Sequence, residues 1–151
     1  MKVLLAIDGS AYSEATVKEL ISRSWPLQTA VRVISVAHPT PLITDPIMVL
    51  TAAHVESLKE EQQRASRDVA KVADEIAKKV PGLQVSTQVL EGSPKKMIVE
   101  EAERWGADLI LVGSHGHGPV ERFLLGSVAQ AVAVHAPCSV EIVRSQSPVG
   151  T

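Results

Sequence analysis

The chain has 151 residues, of which 45% are hydrophobic, 21% charged and only 3% aromatic, with a formal net charge of −2; this suits one domain whose single core is built from Val, Leu, Ile and Ala. That balance excludes a globally basic surface for nucleic acid or anionic membrane, and the lone Cys138 excludes an internal disulfide or a cysteine-based zinc site. No run reaches the ~18 apolar residues of a membrane span, and the opening MKVLLAIDGS lacks the apolar length and cleavage site of a signal peptide, so the expected setting is the reducing cytoplasm.

Lys2 to Ile7 reads as a short apolar strand ended by the turn-forming DGS. Ser13 to Ser24 carries a loose helical period through Ala15, Val17, Leu20 and Ile21, and stops at Trp25-Pro26. Ala30 to Ala37 is β-rich and largely apolar on both faces, as a strand covered on both sides would be. Residues 39–50 hold three prolines among apolar side chains, which fits a lid, a packed loop or a subunit contact. From Thr51 to Lys79 the positions Val55, Leu58, Gln62, Ala65, Val69, Val72 and Ile76 form one stripe of a long helix. Its heptads are too weak for a coiled coil, and Pro81-Gly82 stops it.

Leu83 to Leu90 alternates Leu83, Val85, Thr87 and Val89 on one face, the pattern of a half-exposed edge strand. A helix follows, with Ser93 as N-cap, Pro94 at its first position, Ile98, Ala102 and Trp105 inward, and Gly106 as its stop. Asp108 to Gly113 is a buried strand, Ser127 to Ala136 a helix and Cys138 to Val143 a last strand. Residues 1–145 read as the domain and 146–151 as a flexible tail. Strand and helix alternate throughout, so the expected fold is a three-layer α/β/α arrangement around a five-stranded parallel sheet with right-handed crossovers.

In such sheets ligands sit beyond the carboxyl ends of the strands, where strand order reverses. The two most apolar strands end in DGS and GSHGHG, which places Asp8 and Gly113 beside one crevice if those strands are neighbours. Four of the nine glycines lie between Gly113 and Gly126, in the stretch VGSHGHGPVERFLLGSV. Gly113 lets the chain leave its strand, Gly116 and Gly126 bare N–H groups toward an anion, and Ser127 opens a helix whose start favours phosphate. His115 and Arg122 are further donors. The implied guest is a polyphosphate, with a nucleoside over Asp8 and the end of the second strand.

Rival readings fail on particular residues. No Lys follows Gly126, so there is no P-loop, and the first strand lacks the glycine run of a dinucleotide fold. Val112 stands where a hydrolase elbow around Ser114 needs glycine. AIDGS resembles the strand-end motif of haloacid-dehalogenase-like phosphatases, but Ala6 occupies the position of their nucleophilic carboxylate. His115 and His117 lack a third ligand for a metal. Cys138 reads as a buried, unreactive thiol.

The spacing Gly113, two residues, Gly116, nine residues, Gly126-Ser127, together with AIDGS, LVGSHG, LLGSVA and PCSVEIVR, resembles the universal stress protein family over nearly the whole chain. That resemblance implies the adenine nucleotide alpha hydrolase-like fold with strand order 3-2-1-4-5, and a homodimer paired through the last strand, Ser139 to Val143. Its ATP-binding branch implies adenine and ribose near Ala6, Ile7, Asp8 and Val36. It also implies phosphates along Gly113, His115, Gly116, Gly126, Ser127 and Val128, with Val112 as a further nucleotide-binding residue and Mg²⁺ as companion. Asp8 and His115 are the only candidates for a general base and neither is clearly placed as one. The expected role is therefore an ATP-binding regulator of the stress response, with a slow ATPase or phosphotransferase and a nucleotide-free dimeric scaffold as alternatives.

Overall fold

A computed structural model describes residues 1–37, 52–117 and 124–145. In chain order the elements are β1 (Lys2–Ile7), α1 (Ala11–Ser22), β2 (Ala30–Ala37), α2 (Ala52–Lys79), β3 (Gln84–Glu91), α3 (Pro94–Trp105), β4 (Leu109–Gly113), α4 (Ser127–His135) and β5 (Ser139–Val143). The strands form one five-stranded sheet in the order β3-β2-β1-β4-β5, and every pairing is parallel. β1 and β4 are neighbours, with Val3 opposite Leu109 and Leu5 opposite Leu111. The crevice inferred from the sequence therefore lies between adjacent strands.

Side-chain alternation along β1 feeds two cores. Val3, Leu5 and Ile7 meet Val17 and Leu20 of α1 and Val69 and Ile76 of α2 on one face. Leu4 and Ala6 meet Ile98 and Ala102 of α3 and Val132 of α4 on the other. β3 is the sheet edge, and its Gln84 and Ser86 are exposed, as its alternation foretold; Thr87, read with Leu83, Val85 and Val89 on the apolar face, is exposed as well.

α1 starts at Ala11, two residues earlier than expected, because the Ser10 hydroxyl caps it by accepting from the Ser13 amide at 3.3 Å. α3 begins and ends as read: Ser93 is its N-cap, Pro94 sits in its first turn, and Gly106 adopts the left-handed conformation that closes it. Sequence reading missed one core residue of α3. Glu101 is 1% exposed and is held by Arg32 of β2 at 2.7 Å and by Arg104. The Arg32 guanidinium also lies 4.5 Å from the centre of the Trp105 ring, which is only half-buried. Cys138 is half-buried rather than buried.

α2 departs from its expected stripe. Ala65, Val69 and Ile76 are buried, while Val55 and Gln62 are exposed. Length explains the difference. The helix has 28 residues and is about 42 Å long at 1.5 Å per residue. The eight-residue strands β2 and β3 reach only about 26 Å. Gln62 hydrogen-bonds Glu91, the last residue of β3, so the turns before Gln62 project past the carboxyl edge of the sheet.

The expected loop at 39–50, the donor Arg122 and the tail 146–151 lie outside the described residues. Among the described residues no helix is long and apolar enough to cross a membrane.

Candidate functional site

β1 delivers Asp8 to the carboxyl edge, and the turn after it is fixed by the chain itself. The Asp8 Oδ1 accepts from the Ser10 amide at 2.9 Å, and the Asp8 amide donates to the Ser13 hydroxyl at 3.0 Å. Gly9 between them has φ of +80°, a conformation that glycine adopts without strain. β4 delivers Gly113 alongside. The Ser114 amide then donates to the Val143 carbonyl at 2.9 Å, and the Ser114 carbonyl accepts from the Gly126 amide at 2.7 Å.

The three motif glycines meet different neighbours. A Cβ at Gly113 would lie 3.0 Å from Tyr12 Cβ and 3.2 Å from the Tyr12 backbone. A Cβ at Gly126 would lie 2.7 Å from the Ser114 carbonyl oxygen and 3.0 Å from His115 Cα. A Cβ at Gly116 would lie 3.0 Å from Asp8 Oδ2. Gly113 and Gly126 thus let two chain segments touch, and Gly116 leaves room beside the Asp8 carboxylate. This corrects the reading of Gly126: its N–H closes the loop onto Ser114 and is not offered to an anion. The offered groups are the amides of Ser127 and Val128, in the first turn of α4, which have no partner within the helix.

His115 also has a different task from the one expected. A carbonyl only accepts, so Nε2–H donates to the Leu124 carbonyl, and in the neutral ring Nδ1 accepts from the Ser114 hydroxyl at 2.9 Å. The ring leans on Tyr12, with centroids 4.8 Å apart. Both nitrogens are occupied by the protein, so His115 braces the loop rather than presenting a donor. His117 reaches across the crevice and donates from Nε2 to the Asp8 carbonyl at 2.6 Å. No group of three or more His, Cys, Asp or Glu side chains among the described residues is placed to hold a metal ion.

A cavity of about 730 Å³ opens at this edge, within the 300–1,000 Å³ range of small-molecule sites. All eleven residues named from the sequence line it: Ala6, Ile7 and Asp8 at the tip of β1, Val36 at the end of β2, Val112 and Gly113 of β4, His115 and Gly116 in the loop, and Gly126, Ser127 and Val128 at the start of α4. The sequence reading missed a second wall. Glu61, Arg64, Ala65 and Asp68 of α2 line the cavity, as do Gly92, Ser93, Pro94, Lys95 and Ile98 around the start of α3. The available signals were the spacing of 61, 64, 65 and 68 on one helix face and the second helix start at Ser93-Pro94. Two helix starts, each a focus of partial positive charge, and the cations Arg64 and Lys95 therefore share one cavity with the carboxylates of Asp8, Glu61 and Asp68.

These features define a doubly wound α/β protein of the adenine nucleotide alpha hydrolase-like kind, with its cavity where the strand order reverses between β1 and β4. Residues 1–144 match the universal stress protein family, and the chain belongs to that family. A universal stress protein of Methanocaldococcus jannaschii is 37% identical over 143 residues, covering 95% of this chain and 81% of that one. The universal stress protein UspA of Lactobacillus plantarum superposes with a TM-score of 0.82 at 24% identity, covering 95% of this chain and 97% of that one. A universal stress protein family protein of Arabidopsis thaliana, solved with AMP bound, superposes with a TM-score of 0.65 at 15% identity over 97% of this chain and 93% of that one.

Proposed function

We propose that the cavity binds an adenine nucleotide, ATP in the cytoplasm, and that the protein is a nucleotide-dependent regulator in the stress response. The observation that carries this reading is the opening of the first turn of α4, with the amides of Ser127 and Val128, onto the same cavity as Gly116 and Asp8. Ile7, Val36, Pro94 and Ile98 give the cavity an apolar side suited to a purine face. Mg²⁺ enters this reading with the phosphates, since it commonly takes one or two carboxylates and completes its shell with phosphate and water; Asp8 is the carboxylate beside the proposed phosphate path. The AMP-bound Arabidopsis protein supports the choice of adenine.

Binding is favoured over hydrolysis by the hydrogen bonds already described. Asp8 Oδ1 takes the Ser10 amide, both His115 nitrogens are held, and His117 Nε2 is tied to a backbone carbonyl. A general base needs a free lone pair within reach of its proton; His115 has none left, and the remaining Asp8 Oδ2 is the atom this reading gives to Mg²⁺. A homodimer through β5 fits the placement of that strand at the sheet edge and the partial exposure of Val140 and Ile142. Residues 1–145 are the unit to which this reading applies.

Titration calorimetry with ATP, with and without Mg²⁺, tests it. At a hundredfold excess over Kd, binding should raise stability by about 2.7 kcal/mol, and the melting temperature by roughly 5–10 °C for a chain of this size. Absence of both heat and thermal protection would remove nucleotide binding and leave the scaffold.

A further inference from the structure

α2 overhangs the cavity, and the face it turns to the sheet changes character along its length. Ile76, Val69 and Ala65 are buried against the strands, while Asp68, Arg64 and Glu61 on the cavity side line the opening. Asp68 marks where this polar stripe meets the strand tips. A Cβ on Gly9 would lie 3.7 Å from Asp68 Oδ2 and 3.8 Å from His117 Nε2, so Asp68 stands beside the glycine loop. Arg64 is one helical turn further out on the same face, about 5–6 Å along, at the level where Gln62 meets the end of β3. Its side chain is exposed and forms no hydrogen bond or ion pair among the described residues. The other cation of the cavity, Lys95, belongs to the first turn of α3, near Pro94 and Ile98.

We infer that Arg64 sets the number of phosphates the site accepts, its guanidinium engaging the second and third phosphates of an adenine nucleotide. This deepens the nucleotide reading and rests on it. A helix start offers about half a unit charge, which suits one phosphate. Each further phosphoryl group adds roughly one negative charge to a cavity already walled by Asp8, Glu61 and Asp68. Without a facing cation those carboxylates repel the longer chain. The Arg64 guanidinium fork, which lines the same cavity, neutralises it and bonds two of its oxygens at once.

The test is calorimetric titration of AMP, ADP and ATP into the full chain, its Arg64→Gln and Arg64→Lys variants, and Lys71→Gln, which removes an exposed charge of α2 outside the cavity. Wild type should favour ATP over AMP. Arg64→Gln should weaken ATP about tenfold and AMP less than twofold, Arg64→Lys should recover part of the ATP affinity, and Lys71→Gln should match wild type. An unchanged ratio of ATP to AMP affinity in Arg64→Gln, with binding intact, overturns the assignment of Arg64 alone. Wild type that binds none of the three overturns the nucleotide reading itself.

Discussion

Gly126 and Gly116 should fail in opposite ways when replaced by alanine. At Gly126 the new methyl carbon would sit 2.7 Å from the Ser114 carbonyl oxygen and 3.0 Å from His115 Cα. Both are backbone atoms, so neither can swing aside. The obstructed carbonyl is also the acceptor of the Gly126 amide at 2.7 Å, so relieving the clash stretches that bond. Overpacking of this kind costs about 1–3 kcal/mol, and the weakened bond about 1 kcal/mol more. Backbone strain adds nothing, since φ at Gly126 is −59°, and the stiffer unfolded chain returns up to about 1 kcal/mol. The net loss for Gly126→Ala is about 1–3 kcal/mol, which lowers the melting temperature by roughly 3–10 °C in a chain of this length. At Gly116 the methyl carbon meets only Asp8 Oδ2, the end of an exposed side chain, at 3.0 Å. Gly116→Ala should melt within about 3 °C of wild type, at a cost below about 1 kcal/mol, yet bind ATP at least tenfold more weakly because the methyl fills the space beside Asp8. Thermal and urea melts of the ligand-free variants, followed by calorimetry, measure both. Equal melting temperatures for the two variants would refute the assignment of Gly126 to loop closure.

Two further outcomes follow from the structure. Glu101→Ala strips the partner from Arg32 and Arg104, whose side chains are 25% and 64% exposed. Solvent reaches both arginines, so the loss should be roughly 2–3 kcal/mol in urea unfolding, below the 3–5 kcal/mol of a fully buried pair; a loss under about 0.5 kcal/mol would show that the carboxylate is not held by them. Burial, and then the charge of Asp108, push the Cys138 thiol above its ordinary value. A raised value keeps the thiol protonated at a given pH, and only the thiolate reacts. Iodoacetamide should therefore label the native protein more slowly than the urea-unfolded chain near pH 8, and the gap should narrow as pH rises through the folded value. Faster labelling of the native protein at pH 8 would contradict it.

Local pattern revealed the fold because each signal concerned neighbours in the chain. The apolar run of β1, the cap and stop of α3 at Ser93 and Gly106, and the glycine spacing up to Ser127 are all legible within a few residues. What escaped depends on distant partners. Glu101 follows Glu100 and reads as one more solvated carboxylate, and only Arg32, 69 positions away, makes it a core residue. The stripe of α2 looks uniform in the sequence because nothing in the helix records where the sheet beneath it ends. Arg64 and Asp68 became site residues through that ending. His115 looked like a donor because its partners, Ser114 and Leu124, were visible as letters but not as geometry.

Ser114 joins two ends of the molecule through a single residue. Its amide holds the final carbonyl of β5 and its carbonyl holds Gly126, the residue that caps α4. The rim of the sheet and the mouth of the cavity are thus fastened to the same pivot. Whatever tugs on the outermost strand must either stretch one of those two bonds or drag the helix start with it, and whatever seats itself on the helix start stiffens the rim in return.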